Sequence, residues 1–237
     1  MENMQIKNKD LAIFLGFKLN KIGNDFSKNE LATLKELTLN QLDIQGMVKD
    51  VDIEILDHTE NLESITFKNF RITDEIIDKL KKIKSLKTVT FEKCIISNFD
   101  RIGELDLDYL CITNNRFIRT DFLKGKSYLG LVLTDSDLLD INNIQHMTSL
   151  SFLNVSNSHI ENPNLIGNLQ GLSIVHIENS DIKDISFLES LPNLRTVGID
   201  KEKYDNNLDT IVKLKEKEVG LLEQGYIEIS SDSKRLQ

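Results

Sequence analysis

One apolar spacing, L-x-x-L-x-L, recurs eight times along the chain at nearly constant intervals. The copies begin at Leu34, Leu62, Leu86, Leu107, Tyr128, Leu150, Leu172 and Leu194, in steps of 28, 24, 21, 21, 22, 22 and 22 residues. A single copy is weak, because an amphipathic helix produces the same spacing by chance. Eight copies at one period are a strong constraint. A unit of about 22 residues holds one strand and a return segment, and it cannot bury its apolar face alone. Neighbouring copies must therefore stack, and the chain grows by addition of units. A length of 237 residues would permit one or two globular domains, but stacking requires no second core.

The best-formed unit runs from Leu172 to the start of the next at Leu194. Its apolar residues fall at Leu172, Val175, Ile177, Ile182, Ile185, Leu188 and Leu191, with Ser180 between Ile177 and Ile182. That is the L-x-x-L-x-L-x-x-(N/C)-x-L pattern of a leucine-rich repeat, with Ser in the Asn/Cys slot. Elsewhere the slot holds Cys94, Asn115, Ser136 and Ser158. The continuations Ser180-Asp181-Ile182-Lys183-Asp184-Ile185 and Ser136-Asp137-Leu138-Leu139-Asp140-Ile141 resemble the N-x-I-x-D-I of the bacterial internalin type of repeat, which favours 22-residue units. The resemblance covers about residues 34–204. It implies a curved solenoid used for binding and a ladder of slot side chains that bonds the turn backbone, and it names no ligand. Leu42 and Phe70 occupy the slot in the first two units and cannot bond backbone, so those turns need other partners.

The expected fold is an α/β solenoid: a right-handed leucine-rich repeat horseshoe with a curved parallel β-sheet, a helical N-terminal cap and an α/β C-terminal cap. The expected divisions are a cap over residues 1–33, about eight repeat units over 34–204, and a C-terminal cap and tail over 205–237. Residues 1–9 read as a frayed start. Asp10 can cap a helix with apolar positions Leu11, Phe14, Leu15, Leu19 and Ile22, ended by Gly23. Ser27 and Glu30 have the spacing of a capping box, opening a second short helix through Thr33. These helices would cover the apolar end of the first coil; the alternative is a helical docking site for another protein. In the second unit Thr73 opens a helix with Ile76, Ile77, Leu80 and Ile83 on one face, whereas residues 45–60 of the first unit have no clear form. Later return segments are short enough to require 3₁₀ turns or extended chain. Pro163 and Pro192 fall there, where a missing N–H breaks no ladder. Near the end, Asn206 or Asn207 can cap a helix through Leu208, Ile211, Val212 and Lys215, extending as far as Leu222, with a final strand at Tyr226-Ile227-Glu228-Ile229.

Composition excludes several classes. A formal net charge of −9 and no basic run with interleaved aromatics argue against a nucleic-acid partner. The longest N-terminal apolar run has seven residues, against about 20 for a membrane span. No leader is recognised at the start, which places the chain in the cytoplasm if Met1 is native; an exported or surface-exposed adhesion protein whose leader is missing is the alternative. Cys94 should point inward in its slot and Cys111 outward, so both are expected as free thiols. His58, His146, His159 and His176 show no metal-ligand spacing, there is no CxxC, and neither phosphate-binding glycine motif occurs. No enzyme, cofactor or metal is therefore expected.

What remains is the concave face. Residues flanking the inward ones point out of the sheet. Toward the ends these columns are polar, with Thr38, Thr66 and Thr90 on one side and Thr196 and Asp200 on the other. In the middle, Tyr109, Val132, Phe152 and Ile174 converge, with Gly130 leaving a gap between the two aromatics. An apolar cluster rimmed by polar residues reads as a binding site, although strand-forming residues alone would give a similar composition. The expected partner-binding residues are Tyr109, Cys111, Val132, Phe152, Asn154, Ile174, His176 and Glu178. The expected partner is another protein, bound by a monomer.

Overall fold

The computed structural model describes residues 3–42, 51–115, 117–118, 120–138 and 141–223. Its frame is one open sheet of nine strands, all parallel and in chain order. We number them β1 (Glu36–Asn40), β2 (Ser64–Lys68), β3 (Thr88–Glu92), β4 (Tyr109–Thr113), β5 (Gly130–Thr134), β6 (Phe152–Asn154), β7 (Ile174–His176), β8 (Thr196–Ile199) and β9 (Gly220–Glu223). The first eight are the strands that the repeat predicts. Their register is also the predicted one: Leu37 faces Ile65, which faces Val89, then Leu110, Leu131, Leu153, Val175 and Val197. Each of those side chains is buried, and so are Leu39, Phe67, Phe91, Ile112, Leu133, Val155, Ile177 and Ile199 two residues on. A one-residue slip would have turned every one of them to solvent.

The ninth strand was not expected. The C-terminal helices are α5 (Lys201–Asn206) and α6 (Leu208–Glu216), and the second stops six residues short of Leu222. Glu218 then takes a left-handed conformation (φ 60°), and the chain reverses into β9 beside β8. The proposed strand at 226–229 lies outside the described residues. Lys203 of α5 is buried; its ammonium donates to the carbonyl of Ser180 (2.8 Å) and pairs with Asp200 (2.7 Å), which ties this segment to the last regular unit.

At the other end, Asn3–Gln5 pairs antiparallel with Asp25–Ser27, and Ile6 is buried, so the start is tied down rather than frayed. Helix α1 (Lys9–Leu19) is capped by Asn8, whose side chain accepts from the Leu11 N–H (3.0 Å); Asp10 lies inside the first turn. Leu11 and Leu15 are buried, but Ile22 is fully exposed beyond the left-handed Asn20 that ends the helix. The capping box forms as expected and opens α2 (Lys28–Leu31). There Lys21, then Ser27, bond the Glu30 carboxylate and hold it down at about 2.

On the return side, Thr73 caps α3 (Asp74–Leu80), with Ile76, Ile77, Leu80 and Ile83 buried as the helical spacing requires. Within residues 45–60, the described part holds a 3₁₀ segment, Ile53–His58. The later units return through a single α turn, α4 (Phe99–Ile102), and through 3₁₀ segments at Asp121–Leu123, Pro163–Asn168 and Ser186–Ser190. Pro163 opens its segment, where its missing N–H costs nothing.

Beyond each strand comes a turn that repeats as faithfully as the strand. The residue before the slot is left-handed in six consecutive units: Asn69, Lys93, Asn114, Asp135, Asn157 and Asn179, with φ between 51° and 60°. Asn and Asp tolerate that conformation best among residues with a side chain. The slot side chains then bond backbone. Cys94 donates to the carbonyls of Phe67 and Glu92, Asn115 to those of Phe91 and Thr113, and Ser158 to those of Leu133 and Ser156. Burial pushes the Cys94 thiol up to about 11, so it stays a neutral donor. Phe70 instead buries its ring edge-on against Phe67 (centroids 5.3 Å apart), which itself stacks on Phe91 (5.9 Å).

Candidate functional site

Register alone assembles the open face of the sheet. One row across β4–β7 reads Tyr109, Gly130, Phe152, Ile174, and the next reads Cys111, Val132, Asn154, His176. All eight predicted site residues lie on this face, and none is fully buried: Tyr109 is 41% exposed, and Cys111, Val132, Phe152, Asn154, Ile174, His176 and Glu178 are half-buried. Their position on the sheet follows from strand alternation, since Leu110, Leu131, Leu153 and Val175 between them fill the core.

The gap expected at Gly130 is not open. A Cβ built there would lie 2.3 Å from Cδ1 of Tyr109 and 2.6 Å from its Cε1, so the Tyr109 ring lies across the glycine. The aromatic is flattened toward its neighbour rather than standing beside a notch. Gly198 plays the same part on β8. A Cβ there would meet Glu178 Oε1 at 2.1 Å and His176 Nδ1 at 2.3 Å, so both side chains lie over it.

Those two side chains form the polar edge of the apolar cluster. His176 Nδ1 and Glu178 Oε1 are 2.9 Å apart, and the Ser156 hydroxyl donates to Glu178 Oε2 (2.7 Å). Burial raises the Glu178 carboxyl, but the hydrogen bonds from His176 and Ser156 together outweigh it and leave the group below the ordinary carboxylate range. An ionised carboxylate only accepts, so Nδ1 is the donor in this pair. The His176 ring also sits 5.8 Å from that of Phe152, tilted by 51°, which joins the polar edge to the aromatics. Ser156 is not among the residues the sequence points to as the site, although it occupies the same outward column as Glu178 one strand earlier.

The other predicted residues have narrower roles. Asn154 accepts from the Ser156 N–H (3.0 Å) and so shapes the strand end. Cys111 has its thiol pushed up by burial, with a hydrogen bond from Thr90 acting against that shift. Cys94 and Cys111 are both free. The chemistry open to this cluster is limited. Ser156 and His176 bind opposite oxygens of one carboxylate, so the imidazole is not aligned as a base on the hydroxyl, as nucleophilic catalysis would require. His159, one turn away, pairs with Asp181 instead. Among the described residues no group of three or more His, Cys, Asp or Glu is placed to hold a metal, and no helix is long and apolar enough to cross a membrane.

Comparison with known proteins agrees with this architecture. No protein-family model and no curated protein matches the chain. Among solved structures, an internalin C2 from Listeria monocytogenes matches with a TM-score of 0.63 at 21% identity, over 92% of this chain and 93% of that one. Two further Listeria monocytogenes proteins give weaker matches: an internalin, inlF, with a TM-score of 0.46 at 16% identity over 92% and 89%, and InlP with 0.49 at 18% over 81% and 64%. The chain thus has the internalin-like leucine-rich repeat solenoid fold.

Proposed function

We propose that this chain is a non-catalytic interaction module that binds another protein on the concave face of β4–β7. The observation that carries the reading is the contiguous row of Tyr109, Phe152 and Ile174, with Val132 beside them, solvent-accessible on a sheet whose other face forms the core. Large aromatics held on a rigid sheet contribute contact area at little entropic cost, and they dominate measured interface energies. In this reading Cys111, Asn154, His176 and Glu178 frame the apolar centre. Residues 1–33 and the segment from 205 to Glu223 serve as caps that close the two apolar ends of the solenoid, which stacked repeats require for solubility.

The test uses a partner captured on the intact chain. Truncation of Tyr109 or Phe152 to Ala should weaken its binding by more than about 1 kcal/mol each, with little change in the melting curve, because both side chains point away from the core. Thr66→Ala, on the same face but outside the cluster, should bind normally. Full affinity in the double variant Tyr109→Ala/Phe152→Ala would reject the site.

A further inference from the structure

We infer that the β4–β7 face receives a cationic polypeptide surface, one that presents Lys or Arg beside apolar side chains. The inference rests on the binding-face reading above and adds the chemistry of the partner.

Charge is distributed unevenly along the solenoid. Residues 68–126 contain thirteen Lys and Arg against nine Asp and Glu. The next 56 residues, 127–182, contain no Lys or Arg, six Asp and Glu, and three of the four histidines. Because strands stack in chain order, this sequence bias becomes a spatial one: β5, β6 and β7 and their turns form a block without a strong cation.

The carboxylates of the open face show the same division. Glu36 pairs with Lys18 (3.4 Å), Glu92 with Lys68 (2.7 Å) and Asp200 with Lys203 (2.7 Å). Glu178, among the described residues, pairs with an imidazole and a hydroxyl only. Those two hydrogen bonds hold its carboxyl below the ordinary carboxylate range, and each oxygen retains a second lone pair for an incoming donor. The exposed Asp135 follows the end of β5. The Phe152 ring lies 5.8 Å from that of His176, the partner of Glu178, with Tyr109 two strands beyond Phe152, and a guanidinium or ammonium is attracted to such a face. An acidic partner would meet uncompensated repulsion here, whereas a basic one finds complementary potential that guides encounter and fixes register.

The experiment records residue-resolved NMR spectra of the intact chain. It is titrated in parallel with a synthetic hexapeptide alternating arginine and leucine and with its glutamate–leucine counterpart. The basic peptide should move the aromatic signals of Tyr109, Phe152 and His176, and raised salt should suppress the shifts. Glu178→Gln should weaken the basic peptide about two- to fivefold, the range of a solvent-screened ion pair. Glu36→Gln removes the same charge from the far end of the face and should change nothing. If the acidic peptide moves these signals as strongly, or if Glu36→Gln weakens binding as much as Glu178→Gln, the charge inference is overturned while the binding face stands. If neither peptide moves them, both readings fall.

Discussion

The second repeat and the sixth solve one problem by opposite means. Each must bury the turn that follows its strand. In the sixth, Ser158 does it with hydrogen bonds, reaching the carbonyls of Leu133 and Ser156 while accepting from the Ser136 N–H (3.3 Å). In the second, Phe70 does it with area, pressed edge-on against Phe67, which stacks on Phe91. The polar solution repeats along the middle units, where Asn115 bonds Ser136 and Ser136 bonds Ser158. The aromatic one is local, because its rings fill a volume that only this position offers. A repeat tolerates either, provided no buried backbone group is left without a partner.

The largest expected effect breaks the aromatic side. Phe67→Ala removes the ring that both neighbours contact, and should cost about 3–5 kcal/mol in denaturant unfolding. Leu153→Ala, a core position of the hydrogen-bonded region, should cost about 2–5 kcal/mol. If Phe67→Ala proved nearly neutral, the ring cluster would be an accessory to the turn rather than its support.

Next comes the ladder. Ser158→Ala takes a donor from the Leu133 carbonyl and the acceptor from the Ser136 N–H, and should cost about 1–3 kcal/mol. Phe70→Ser should restore no ladder, since its neighbour in the first unit is Leu42, and should destabilise instead. A stable Phe70→Ser variant would show the two solutions to be interchangeable.

A smaller effect concerns the left-handed residue that both kinds of turn share. Asn114→Ala should cost about 1–2 kcal/mol, the strain of a Cβ in that conformation, whereas Asn114→Gly should cost less. Equal costs for the two would place the penalty in lost side-chain contacts rather than in the backbone.

The smallest concerns pH. Glu178 and Asp200 both titrate below their ordinary values of 4.5 and 3.8; in each, burial pushes the other way and hydrogen bonds prevail. A carboxyl with a lowered folded-state pKa adds stability above its unfolded pKa and loses it as pH falls through the folded one. Unfolding free energy should therefore decline with acid from about pH 4.5 downward, and Glu178→Gln should flatten part of that slope. An unchanged slope in the variant would mean that the pair contributes nothing to linkage.

The strands were legible because their triplets repeat, and a periodic signal fixes register as well as existence. The ninth strand was not, because Leu221 and Leu222 extend the apolar spacing of α6 and no upstream leucine marks a new unit. The left-handed position was legible as recurring Asn and Asp before the slot, interrupted by Lys93, but turn chemistry is easily passed over beside a stronger apolar rhythm. Asn8 displaced Asp10 as the helix cap because both residue types serve and only the backbone path decides. On the concave face, sequence placed all eight residues on one side, since alternation requires it. It gave no account of which way the side chains lean, because that depends on the neighbouring strand.

That last dependence makes two residues with no side chain the sculptors of the face. Gly130 and Gly198 offer a visitor almost nothing to touch, yet the Tyr109 ring and the His176–Glu178 pair recline where they do because those two positions are empty. A single methyl at either would lift the overlying groups and recontour the surface while every contact residue kept its identity. The relief that a partner meets is thus written partly in negative, by what the next strand leaves out.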